Sequence, residues 1–402
     1  MTTLRILIFA HDNQGLSSTS RAIEIATAIS RFVKKCSILL LTDVPIIGKL
    51  KLPERLDYVH LPTIARRRHE GTLGPNLNIE VKDVLKIRRK IAQSTFKTFK
   101  PDLFLIDCHP IELPEEMERT LSYVSKEFPR TKVVWGLPDT IGDDDTISAL
   151  WNGEGGFGWL ARICDEIWVY GSRHIFDFQT AYGLGAAIAD KLFYTGYLGL
   201  SQRSLLGKPD VKKVDSDRIP LVLVAAGSGS RGHSLIDHHV SFIERQGREV
   251  PFKSIIMIGP SMSSASKNNL QVRISELRNV ALHRFSKRFH TFVHDADLVV
   301  WTGGYNLLCA IMAHEKKALL IPEDGVCHDH ISRAAMLQHV GFCESLALDD
   351  LTPQLLGRRV LAILHEKKGP STAFLATNGL DKIIDRIKRF SRDRGSHALP
   401  DG

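Results

Sequence analysis

Short apolar runs with almost no charge alternate with longer amphipathic segments along this chain, and that alternation limits its fold more than any other feature. Arg5–Ala10 (RILIFA) leads into Ala22, Ile25, Ala26, Ile29, Phe32 and Val33 at helical spacing. Ser37–Thr42 (SILLLT), Asp102–Asp107 (DLFLID), Lys132–Leu137 (KVVWGL) and Glu166–Gly171 (EIWVYG) repeat the apolar run, and a long helix is expected across residues 77–99. Runs this apolar suit strands covered on both faces, as in a parallel sheet. Strand alternating with helix predicts a doubly wound, Rossmann-like α/β domain over residues 1–200. Residues 201–218, mostly charged, read as a linker. The pattern then restarts with Ile219–Ala226, Ser254–Gly259, Asp297–Thr302 and Lys317–Pro322, predicting a second Rossmann-like domain over 219–368. A C-terminal helix is expected over 369–390 and a disordered tail over 391–402. Two such domains on one linker are expected to face each other across a cleft, with ligands beyond the carboxyl ends of the strands.

The loops at those strand ends hold the chemistry. Ala225–Gly232 (AAGSGSRG) joins an apolar strand to a helix-compatible segment. Its Gly227, Ser228, Gly229 and Ser230 would let backbone approach a diphosphate at a helix N-terminus. The loop is not a Walker motif, since no G-K-[ST] follows. Gly303, Gly304, Tyr305 and Asn306 form a second such junction, and residues 322–333 (PEDGVCHDHISR) a third polar loop. No stretch approaches eighteen uncharged apolar residues, which argues against a transmembrane helix. The net charge of +8 suits an anionic ligand without selecting one. Six cysteines without a C-x-x-C pair fit a reducing, cytoplasmic compartment.

The ordered series GGYN after a buried strand, then LLIP, then Arg333-Ala334-Ala335-Met336-Leu337 and Gly341 resembles the donor-binding half of GT-B glycosyltransferases. It is similar to the group related to the N-acetylglucosaminyltransferase that makes lipid II. More closely, the chain resembles a bacterial set of predicted glycosyltransferases. His11 to Arg21 (HDNQGLSSTSR), Trp135–Asp139, Val169–Gly171 and Tyr194–Tyr197 carry that likeness through the first half. The resemblance implies an inverting transferase that needs no cofactor or metal. A nucleotide-sugar donor, most often a UDP-sugar, would bind the C-terminal domain through the two glycine loops, His330 and Arg333. The acceptor, a small molecule or a lipid-linked one, would bind the N-terminal domain through Gly15, Ser18, Arg21 and His109. Ser18 stands where the family has a histidine, Ala310 where relatives have a glutamate, and Asp329-His330 where a Glu-Gln pair is common. His11, oriented by Asp12, is therefore the candidate base.

Three other readings come from the same residues. A degenerate homologue would bind sugar nucleotides without turnover, and a nucleotide-sugar epimerase or hydrolase would share the two-domain fold. Cys108-His109 is a poor nucleophilic pair, because neighbours on an extended chain point apart. Cys327, His328 and His330 lack the spacing of a zinc site, and Asp143–Asp145 reads as a solvated acidic turn. The basic runs 66–69 and 86–90 could meet a phosphorylated acceptor or an anionic membrane periphery. No aromatic residues interleave with them, which argues against nucleic acid.

Overall fold

The computed structural model describes residues 3–12, 16–66, 73–75, 77–110, 114–152, 158–199, 218–226, 232–259, 262–284, 289–323, 329–366 and 376–396. The chain divides into two compact units, residues 1–201 with 378–402, and residues 202–377. In the first unit the strands are β1 (Leu4–Ala10), β2 (Cys36–Thr42), β3 (Leu56–His60), β4 (Ile64–Arg66), β5 (Leu73–Pro75), β6 (Leu103–Asp107), β7 (Lys132–Pro138), β8 (Glu166–Tyr170) and β9 (Leu192–Tyr194). Its helices are α1 (Ser17–Phe32), α2 (Val81–Phe99), α3 (Pro114–Glu127), α4 (Asp144–Asn152), α5 (Gly158–Ile163), α6 (Phe178–Ala181) and α7 (Ala186–Ala189). Seven strands form one parallel sheet in the order β3-β2-β1-β6-β7-β8-β9, while β4 and β5 pair separately as an antiparallel hairpin. The order reverses between β1 and β6, which leaves a switch point beyond their carboxyl ends, the usual ligand position in such sheets.

The second unit repeats the plan. Its strands are β10 (Leu221–Ala225), β11 (Lys253–Ile258), β12 (Val280–Arg284), β13 (Leu298–Trp301), β14 (Lys317–Leu320) and β15 (Glu344–Ser345). They form a parallel sheet in the order β12-β11-β10-β13-β14-β15, so its switch point lies between β10 and β13. The helices are α8 (Gly232–Gln246), α9 (Ser264–Ser275), α10 (Phe289–Asp295), α11 (Tyr305–Ala313), α12 (Asp329–His339) and α13 (Pro353–His365). Thr352 starts α13 by accepting from Leu355 N, with Pro353 at the first helical position, where its missing N–H costs nothing.

The apolar runs are central strands for a simple reason: both faces of each are covered. Every residue of β6 and β8 is buried. Short strands such as β3, β9, β12 and β15 lack a fully apolar run and are not foreseen from the sequence; pairing with a better strand makes them. The last helix, α14 (Gly379–Ser396), starts ten residues later than the sequence suggests and continues through residues 391–396 of the expected tail. It belongs to the first unit. Arg386 donates from Nε to Glu166 Oε1 at 2.8 Å, and Trp168 donates to Oε2 of the same carboxylate at 2.8 Å.

Candidate functional site

Register builds the first candidate site. In the parallel sheet Ala10 lies opposite Thr42 on one side and Asp107 on the other. The next residues of β1 and β2, His11 and Asp43, therefore leave the sheet side by side. His11 Nδ1 donates to Asp43 Oδ2 at 2.7 Å, and both residues are buried. The same oxygen accepts from Arg88 Nη1 of α2 at 2.9 Å. Arg88 Nε sits 3.0 Å from both oxygens of Glu116 on α3, and Nη1 also reaches Pro62 O at 2.7 Å. Burial opposes ionisation of Asp43, yet His11 and Arg88 hold its carboxyl below the ordinary carboxylate range. Burial pushes Glu116 up against the opposing pull of Arg88.

The orienting role that sequence reasoning hands to Asp12 thus falls to Asp43. Asp12 instead accepts from Ser18 N at 2.8 Å and Thr19 N at 2.9 Å, so its carboxylate caps the start of α1. Arg21, expected from the sequence at the acceptor, also enters the scaffold. It is buried, and its Nε lies 3.1 Å from both oxygens of Asp107, so its guanidinium braces α1 against the end of β6. Its Nη2 also donates to Ser18 Oγ at 3.3 Å. Tyr170 lies in the same cluster, and burial beside Asp107 drives its hydroxyl far above the usual phenol range. Gly136 makes this possible, because a Cβ there would lie 1.8 Å from the Tyr170 hydroxyl. His109 donates from Nε2 to Ile141 O at 2.6 Å, pinning one strand-end loop to the next. Gly15 lies outside the described residues.

The second candidate site surrounds the β13–α11 turn. Gly303 has φ +104°, a conformation that side chains with a Cβ resist, and a Cβ there would lie 2.9 Å from His330 Cβ. Among the described residues, a Cβ on Gly304 meets nothing within 4 Å. His330, at the start of α12, has a buried Nδ1 with no hydrogen-bond partner among the described residues. Arg333 is fully buried; it donates to Gly303 O at 2.9 Å and to Asp329 Oδ2 at 3.3 Å, with its guanidinium 6.0 Å from the Tyr305 ring centroid. Arg333, expected from the sequence at the donor, holds the turn through Gly303 O. Asn306 follows Tyr305 in the first turn of α11. Gly227, Ser228, Gly229 and Ser230 lie outside the described residues. Just beyond them, Gly232 N donates to Glu323 Oε1 at 3.2 Å, so the start of α8 already carries a carboxylate.

Asp43 and Glu116 escaped sequence reasoning, which reaches Arg88 and Glu323 only within the basic run 86–90 and the polar loop 322–333, because each is remote in the chain from the residue it serves; Arg88 is buried among carboxylates and does not face a phosphorylated acceptor or membrane. The one available signal was Asp43 directly after an apolar strand, the position His11 also occupies. Asp143 Oδ1 accepts from Thr146 N at 2.9 Å, so the acidic turn starts α4. Among the described residues no three histidine, cysteine or acidic groups are placed to hold a metal ion; Cys327 and His328 lie outside them. Among the described residues no helix is long and apolar enough to cross a membrane.

Residues 221–387 match the glycosyltransferase family 28 C-terminal domain. Over 189 residues the chain is 24% identical to the UDP-N-acetylglucosamine--N-acetylmuramyl-(pentapeptide) pyrophosphoryl-undecaprenol N-acetylglucosamine transferase of Streptococcus pneumoniae. That match covers 46% of this chain and 49% of the relative, so the chain spans about half the length of the curated relatives it matches. Among solved structures, a calicheamicin glycosyltransferase superposes with TM-score 0.65 at 14% identity, covering 100% of each chain. MurG of Acinetobacter baumannii gives 0.59 at 11%, covering 96% of this chain and 99% of its own. UDP-GlcNAc 2-epimerase of Neisseria meningitidis gives 0.59 at 11%, covering 96% and 100%. These likenesses show a fold held in common, the GT-B pairing of two parallel-sheet α/β domains.

Proposed function

We propose, from the premise that residues 221–387 form a glycosyltransferase family 28 C-terminal domain, that the protein transfers a sugar from a nucleotide-sugar to an acceptor hydroxyl. The observation that carries this reading is the β13–α11 turn, where among the described residues a Cβ on Gly304 meets nothing and Nδ1 of His330 has no hydrogen-bond partner, braced by Arg333. A helix start, with its partial positive charge, suits the paired phosphates of a UDP-sugar, and an imidazole beside it suits a phosphate or sugar oxygen. His11 is assigned as base: Asp43 binds Nδ1 and orients the ring, and Nε2 is the nitrogen assigned to take the proton of the acceptor hydroxyl. The acceptor oxygen bonds to the anomeric carbon as the bond from that carbon to the phosphate oxygen breaks. The sugar configuration inverts and UDP leaves, its charge met by the α11 start without a metal. The lipid-linked substrate in the pneumococcal relative's name supports a lipid-linked acceptor here.

One observation favours a second reading. His11 is fully buried, and Asp12 and Arg21 are spent on the scaffold, as in a sugar-nucleotide binder without turnover. Incubation with UDP-, GDP- and dTDP-sugars, with and without acceptors, separates the two. Nucleotide release that depends on acceptor supports transfer, and release into water alone supports hydrolysis. Thermal stabilisation by UDP without release supports the binder. His11→Ala should abolish transfer while leaving stabilisation by UDP intact; turnover at the wild-type rate would remove His11 as base.

A further inference from the structure

We infer that Arg88 and Glu116 are positioning residues that set, through Asp43, the proton affinity of His11; the inference rests on the reading of His11 as base. The four side chains form one buried line across four elements: His11 after β1, Asp43 after β2, Arg88 on α2 and Glu116 on α3. Charges alternate along it, and each link is a hydrogen bond of 2.7–3.0 Å.

Two donors share Asp43 Oδ2, while Oδ1 has no hydrogen-bond partner among the described residues. Arg88 therefore draws on the same negative charge that would stabilise a protonated His11. A carboxylate bound to imidazole alone favours the imidazolium strongly. One that also holds a guanidinium favours it less. Glu116 reverses part of that loss, because its carboxylate lies against Arg88 Nε and offsets the cation. The pair works as a bias on the base: Arg88 lowers the proton affinity of His11 and Glu116 raises it. A general base is most effective when its affinity lies near the working pH, so such a bias has a use. Asp12, on the same loop as His11, caps α1, and Asp107 on β6 is held by Arg21 of α1.

The test is an NMR titration of the His11 ring in the full chain, its signals assigned by their loss in His11→Gln. Glu116→Gln should lower the His11 midpoint, and Arg88→Met should raise it by about one pH unit or more. A purely structural role predicts that both variants melt earlier, since each breaks a buried pair, but gives no reason for midpoints to move in opposite directions. If Arg88→Met does not fold, Glu116→Gln decides alone. A downward shift upholds the inference; an unchanged or raised midpoint overturns it, as does movement of both variants in the same direction. The midpoints are read without turnover. Lack of transfer activity would therefore count against the proposed reaction and leave the charge coupling standing. Where transfer is present, the acidic limb of the kcat–pH profile, where the base becomes protonated, should move with the midpoint in each variant.

Discussion

At the level of single residues, the molecule spends polar groups where the backbone brings them together, and the consequences can be measured. Asp43 holds the tautomer of His11 that presents Nε2, so Asp43→Asn is expected to slow transfer by about 10²–10⁴-fold while UDP still raises the melting temperature. Equal rates in steady-state assays would separate Asp43 from the chemistry. Gly303 is constrained twice, by φ +104° and by His330 at 2.9 Å from any Cβ. Gly303→Ala should cost about 1–2 kcal/mol of backbone strain and displace His330, weakening UDP binding in calorimetry well beyond the loss of stability. Glu323 occupies the α8 start that a phosphate would also favour. Removing its charge with Glu323→Gln should tighten UDP by about 0.3–1 kcal/mol, up to roughly fivefold. Unaltered affinity would move the phosphates away from α8.

At the level of elements, helix ends and strand ends carry the load. The α1 helix has no cap from the residue before it; Asp12, several residues upstream, supplies the acceptor for Ser18 N and Thr19 N. The α14 helix is amphipathic and buries Ile383, Ile384 and Ile387, with Arg386 gripping Glu166 and lying 5.3 Å from the Phe193 ring centroid. Arg386→Ala leaves Glu166 largely buried with only Trp168 to satisfy it, so the first unit should lose about 3 kcal/mol in urea unfolding, the lower range for a broken buried pair. A loss under half that would show that the isoleucines alone seat the helix. Much at this scale was legible in the sequence. The nine foreseen apolar runs are all strands, and GGYN does open a helix, because local apolarity and glycine act within a few residues. The partners of those loops were not legible. Asp43 meets His11 only because Ala10 and Thr42 are in register, and pairing register is a property of the assembled sheet.

At the level of the whole molecule, each unit has its own apolar core around its own sheet, and the second contains two histidines kept neutral by packing. His239 is buried against Ser254, and burial lowers it to about 4. His314 is lowered to about 4 by burial and then by His290, His294 and Lys316 around it. An unfolded histidine takes its proton near pH 6.5, so the unfolded chain binds protons first as the solution is acidified. Stability from these groups is whole above about pH 6.5 and drains as the pH falls toward 4, by about 3 kcal/mol for His239 alone. Melting curves between pH 4 and 7 should show this slope, and His239→Gln should flatten it. A flat wild-type profile would mean that other titrations compensate.

Taken alone, the amino-acid order determined two parallel α/β sheets, their apolar strands and the small-residue helix starts that suit phosphates. Those depend on hydrophobic run length, periodicity and backbone permissiveness, each readable over a short window. Only the tertiary structure decided which carboxylate serves His11, that Arg21 and Arg333 brace the scaffold, and that Glu323 sits at the α8 start. Those outcomes depend on which strands pair and which helices pack, and buried charges must find partners wherever that packing puts them.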